Sequence, residues 1–192
     1  MKIIPLIVSA LVTVVLVVVL NSSFVLPVPL GKLLSPQNGL WQNAERADHN
    51  YSAALSFPQL KGKVNVYFDE RLVPHVFAEQ DNDAYFVQGY LHAKFRLWQM
   101  EFQTHAAAGR LSEIVGNKAI PYDRDKRRLG MVFAAERALQ EVEKDPETLA
   151  ECDNYTAGVN SYIESLDESS LPFEYKLLGF YPETWTHLKT AL

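Results

Sequence analysis

Residues 89–116 read GYLHAKFRLWQMEFQTHAAAGRLSEIVG, a stretch dense in groups capable of chemistry. His92, Lys94, Arg96, Glu101 and His105 supply imidazole, ammonium, guanidinium and carboxylate, the equipment of general acid–base catalysis. Ser112 adds a hydroxyl, but a serine nucleophile needs an adjacent base and its neighbours offer none, so its role is structural. Zinc on a helix needs two imidazoles at i and i+4, and the histidines at 49, 75, 92, 105 and 187 contain no such pair. Cys152 is the single cysteine, which excludes an intramolecular disulfide framework and any CxxC motif. Lying in a helical pattern with no neighbouring His, it reads as a half-buried, inert thiol. His75, next to Pro74 on an expected strand, is a weak candidate for touching substrate, while Asp69 and Glu70 read as turn residues.

Periodicity weighs the catalytic reading of the central stretch against a core reading. Asp81, Asn82 and Asp83 offer helix N-caps and Gly109 a stop, bounding a helix of about seven turns. Ala84, Val87, Leu91, Phe95, Trp98, Phe102 and Ala106 fall on one stripe, and Phe86, Tyr90, Ala93, Leu97 and Met100 on a second beside it. Together the stripes cover more than half the circumference, which predicts a helix buried on most sides. Gln88, His92, Arg96, Gln99 and Gln103 form a continuous polar seam on what remains. Buried polar groups have to be paired, so His92, Arg96, Gln99 and Gln103, with Glu101 and Glu113, are expected to form a hydrogen-bonded core network.

The flanking elements follow from the same rules. KGKVNVYFDE alternates Val64, Val66 and Phe68 with polar or outward residues, the pattern of a half-buried strand; PHVFAE supplies a second, making a hairpin with Pro74 at its start or edge. RLSEIV predicts a short helix ended by Gly116, and YDRDKRRLGMVFAAERALQEVEK a helix broken near Gly130. The basic run DRDKRR is interleaved with Asp123 and Asp125 and reads as a solvated face or ion-pair network. Asp145 followed by Pro146 is a helix start. LPFEYKLLGFYPETW reads as an irregular aromatic connection, and HLKTAL as the first turn of another helix.

At the N-terminus, residues 3–20 are almost unbroken Val, Leu and Ile, with no charge from Ile3 to Gly31. About 18 residues at 1.5 Å each just span a hydrocarbon core of about 30 Å. Residues 1–31 therefore read as a signal anchor, with a cleaved signal as the other possibility, and the chain as exported to the cell envelope or periplasm. Residues 32–61 form an extended lead-in. A net charge of −5 gives no electrostatic footprint for nucleic acid.

Taken in order, VPHVFAEQDNDAYFVQGYLHAKFRLWQMEFQTHAAAGRLSEIVG, DRDKRRLGM, YTAGVNSYI and LPFEYKLLGFYPETW resemble the small-subunit region of the penicillin acylase family, across Val64 to Trp185. The resemblance implies an α+β fold: a mostly helical small-chain segment, 62–192, with an N-terminal β-hairpin, part of an αββα N-terminal nucleophile hydrolase sandwich. It implies a precursor that cuts itself, and a new N-terminal Ser on a large chain that attacks an amide carbonyl with its own α-amino group as base. The catalytic Ser, the oxyanion donors and most ligands of a Ca2+ ion in the full-length protein lie, by the same resemblance, beyond Leu192. This chain then carries no catalytic or metal residue of its own. Phe95 stands where the family commonly has an Asp before the helix Arg, which leaves Glu101 or Glu113 as the expected partner of Arg96.

Two functions fit. The chain is the membrane-tethered front part of an exported amidohydrolase precursor, partnered by its large catalytic chain and acting on a small-molecule amide. Alternatively it is a non-catalytic envelope binding protein built on the same scaffold.

Overall fold

The computed structural model describes residues 3–22, 29–35, 51–168 and 170–192. Most of the expected lead-in, residues 36–50, lies outside the described residues. The apolar N-terminal run forms α1 (Ile3–Leu20), long and apolar enough to cross a membrane by length and composition. The hydroxyl of Thr13, one of its few polar groups, donates to the Ser9 carbonyl one turn back at 2.9 Å.

β1 (Val64–Phe68) and β2 (Pro74–Ala78) pair antiparallel, from Val64 opposite Ala78 to Phe68 opposite Pro74. The alternation holds as expected. Val64, Val66, Phe68 and Val76 turn inward onto Phe86, Val87 and Leu91, and Tyr67 meets Phe77 ring to ring on the outside. Proline occupies the first position of β2, where its missing N–H costs no ladder bond inside the strand. The Asp69 carboxylate closes the turn by accepting from the N–H groups of Arg71 and Val73 at 2.9 and 2.8 Å.

α2 (Asp81–Ala108) spans the expected range and stops at Gly109, whose left-handed φ of 66° ends the helix. None of the three expected caps acts as one: the N-cap is Gln80, without a side-chain bond. Asp83 is instead buried and accepts from the backbone N–H groups of Lys61 and Gly62. The backbone entering β1 competes for this carboxylate and wins, tying the hairpin to the first turn of α2.

α2 packs along α6 (Pro146–Glu164), which begins as expected: the Asp145 side chain caps Glu147 N–H, and Pro146 stands first. The two helices cross in backbone contact. A methyl on Gly89 would overlap the Tyr155 carbonyl, and one on Gly158 would overlap the Phe86 carbonyl. Beyond this crossing, Ala93, Leu97, Val159, Leu171, Tyr175 and Trp185 make the core.

Between these helices run α3 (Ser112–Val115), α4 (Ile120–Arg128) and α5 (Met131–Val142), with the expected breaks at Gly116 and Gly130. Asp123 is not a solvated charge. It is buried and receives the N–H groups of Leu111 and Ser112 at 2.8 and 2.7 Å. Burial opposes its ionisation, but the bonds from Ser112 and Leu111 prevail and hold the carboxyl below its usual range. Arg127, from the same basic run, donates to the Gly109 carbonyl at 2.8 Å. The aromatic connection is also more ordered than expected: it contains α7 (Phe173–Leu178), ended by Gly179 in a left-handed conformation. α8 (His187–Ala191) follows, capped by the Thr186 hydroxyl. The molecule is α+β, mostly helical with one two-stranded hairpin among the described residues.

Candidate functional site

The polar residues of α2 separate into two systems. Along the middle of the helix, Gln88, His92, Arg96, Gln99 and Gln103 are exposed, which corrects the expected core network. Two faces of α2 are occupied, one by α6 and one by the hairpin, and no described element covers the third. Phe95, expected in an apolar stripe, is 43% exposed for the same reason. The helix is also interrupted here, since Arg96 has non-helical torsions (φ −144°, ψ 19°).

The seam forms the floor of a trough whose other wall is the hairpin. A hollow of about 450 Å³ lies between Leu72 and Pro74 on one side and His92, Arg96, Gln99 and Gln103 on the other. A second, of about 310 Å³, continues past Val76, Tyr85 and Gln88, and the two share Pro74, Leu91 and His92. Within the trough His92 Nδ1 lies 3.1 Å from the Tyr155 hydroxyl. Partial burial, then the neighbouring Arg96, push the imidazole below its ordinary range, favouring the neutral ring. His75 stays outside the trough: it sits opposite Tyr67 on the exposed face of the hairpin, its Nε2 3.7 Å from Asp69.

The second system lies in the last turns of α2 and is closed. Glu101 is 1% exposed and accepts from the Tyr175 hydroxyl (2.6 Å), the Glu183 N–H (2.8 Å) and the Lys189 ammonium (3.2 Å). Lys189 also meets Glu183 at 3.0 Å. Glu183 in turn takes the Arg110 guanidinium at 2.6 Å, and the same guanidinium grips Glu113 through Nε and Nη2. Hydrogen bonds from Arg110, opposed by partial burial and reinforced by Lys189, hold the Glu183 carboxyl down at about 2. Burial beside Glu101 drives the Tyr175 hydroxyl far up, so it stays a donor. Glu101 and Glu113 are thus engaged by Tyr175, Lys189 and Arg110, and neither reaches Arg96.

Glu101, His105 and Glu183 bring two carboxylates and an imidazole within 4.8 Å of one another. The set does not fit Ca2+, which takes six to eight oxygen ligands. One of the three donors is nitrogen, and the carboxylates already receive Lys189, Arg110 and Tyr175. The positive charge a metal would bring is supplied by side chains.

Sequence periodicity does not point to Tyr175, Glu183 or Lys189, because each sits outside α2 and far along the chain. A signal for Asn160 was present. It ends the AGVN stretch, and its carboxamide both accepts from Trp185 N–H (2.7 Å) and donates to Trp185 carbonyl (3.0 Å), joining two of the quoted motifs.

The arrangement is a helix locked near its C-terminal end by ion pairs and hydrogen bonds and exposed along one face of its middle. A family model described as penicillin amidase matches residues 63–192, and the chain belongs to that family. The penicillin acylase 2 proenzyme of Pseudomonas sp. (strain SE83) is 38% identical over 134 residues, covering 70% of this chain and 17% of the relative. Penicillin G acylase of Escherichia coli is 26% identical over 70% of this chain and 16% of its own length. An acyl-homoserine lactone acylase, QuiP, of Pseudomonas aeruginosa is 36% identical over 58% of this chain and 13% of its own. The match therefore spans between about an eighth and a sixth of the length of these relatives. Among solved structures, the thermostable penicillin G acylase of Alcaligenes faecalis superposes with a TM-score of 0.60 at 27% identity, over 67% of this chain and 68% of that one.

Proposed function

We propose that this chain is the N-terminal scaffold of an exported acylase precursor that hydrolyses a linear amide C–N bond. The observation that carries the reading is a contrast in coverage. The match takes only 17% of a proenzyme relative but 68% of the matched chain in the solved acylase, whose length is close to this chain's own. A short chain of this kind working beside a longer one accounts for both figures.

On this reading the substrate is the side-chain amide of a β-lactam or an N-acyl amide, the two chemistries named in the relatives. An N-terminal Ser on the large chain attacks the carbonyl while its α-amino group takes the hydroxyl proton. Backbone and amide donors hold the tetrahedral oxyanion, the amine leaves with the proton, and water then releases the acid. The role of the present chain is to hold that large chain, with α1 tethering the assembly to a membrane at the cell envelope. On this reading no residue of the present chain touches the reacting atoms, and any Ca2+ is held by the large chain.

The reading is tested on the reading frame after codon 192 and on its product. It expects a continuing frame with a Ser at a self-cleavage junction, and a processed protein that hydrolyses phenylacetyl or fatty-acyl amides until that Ser is replaced. The 192-residue chain alone is expected to turn over neither. Turnover by that chain, abolished by a substitution within it, would overturn the proposal, and a stop codon there would favour the non-catalytic envelope protein.

A further inference from the structure

The trough between β2 and α2 has a length, two walls and a charge, and each restricts what fills it. From Gln88 to Gln103 it runs along α2 for about 22 Å, the span of about seven extended residues. One wall is β2, whose outer edge pairs with no described strand, and an unpaired strand edge is a template for another strand. The floor carries the carboxamides of Gln88, Gln99 and Gln103, each offering both a donor and an acceptor to a passing main chain. Arg96 is the permanently charged group of the lining, and no carboxylate lines either hollow. Glu101 and Asp83, the carboxylates nearest in sequence on either side, are held by other partners, as is Glu113.

We infer that the trough seats an extended segment of the large chain, which adds a strand beside β2 and presents a carboxylate to Arg96. The inference rests on the two-chain reading and goes beyond it by naming the surface and the chemistry of its occupant. A guanidinium is matched to a carboxylate by its planar fork of donors. A main chain running beside β2 satisfies the strand edge and the glutamine seam together. The feature that made this helix look like a core network from its sequence is then real, but its partner is supplied in trans.

The test compares hydrogen exchange at the amides of Val76 and Ala78, which point away from β1 toward the open edge, in the processed two-chain protein and in the 192-residue chain alone in detergent. Exchange is expected to slow by about tenfold or more in the two-chain protein. Arg96→Glu should weaken retention of the large chain by about thirtyfold, Arg96→Lys less, and Lys118→Glu, on exposed surface elsewhere, not at all. Because Arg96 is exposed, circular dichroism of the variant chain should match the parent. If the two chains associate but Val76 and Ala78 exchange equally fast, or Arg96→Glu binds normally, the docking site is wrong while the two-chain reading stands. Protection already present in the chain alone overturns the inference in favour of cover by the chain's own residues 36–50. Protection that grows with the concentration of the chain alone overturns it in favour of a second copy. Absence of any associating large chain overturns both inference and reading.

Discussion

One helix presents two kinds of polar surface. In its last turns Glu101 sits among Tyr175, Lys189 and the Glu183 backbone, all from its own chain, and is sealed from water. About a turn and a half earlier Arg96 and its flanking glutamines face an open trough with no carboxylate in its lining. Both stretches are charged and both alternate with aromatics, so residue type does not separate them. What separates them is whether residues 171–192 fold back over that part of the helix, as they do over Glu101 and do not over Arg96. A charged group that its own chain neutralises is part of the fold, and one that its chain leaves exposed is available to a partner.

This contrast is sharpest where stability is measured. Glu101→Ala should cost about 3–5 kcal/mol in denaturant unfolding, because it leaves the buried Tyr175 hydroxyl and the Glu183 N–H without an acceptor and takes from Lys189 one of its two carboxylates. A cost below about 1 kcal/mol would show that the closed end is not closed. Gly158→Ala should cost about 3 kcal/mol, the upper part of the usual overpacking range, since the methyl meets the Phe86 carbonyl rather than a movable side chain. Asp123→Ala should cost about 1–3 kcal/mol by freeing two N–H groups at the start of α3.

Acid should act on the closed end as well. Glu183 titrates at about 2 in the folded chain against an ordinary 4.5, so its contribution is whole above pH 4.5 and is lost as pH falls through 2. Unfolding midpoints measured between these limits should fall with pH, and Glu183→Gln should flatten that dependence. The smallest effect belongs to the open stretch: Arg96→Ala in the isolated chain should change stability by no more than about 0.5 kcal/mol. A loss of several times that would erase the contrast between the two surfaces.

The helices and the hairpin were legible because each rests on local rules: alternation for Val64–Phe68, a left-handed stop at Gly109, a cap and proline at Asp145 and Pro146. The caps of α2 were misread because Asp83 serves backbone groups of Lys61 and Gly62, and no short-range rule reports a bond across 21 or 22 positions. The seam itself was read correctly as a stripe and wrongly as interior. Helical periodicity gives the direction a side chain faces but not whether another element lies there. Lys189 was invisible for the complementary reason: its partner is 88 residues away.

That separation sets an order of events during synthesis. A ribosome adding about 5–20 residues per second needs roughly 4–18 s to travel from Glu101 to Lys189. Throughout that interval the carboxylate destined for the interior has no ammonium to meet, and α2 cannot settle into its final packing. A helix near the middle of this segment is therefore latched only by residues made 88 positions later, and premature chain termination before position 189 should leave the helix unlatched however complete the preceding fold.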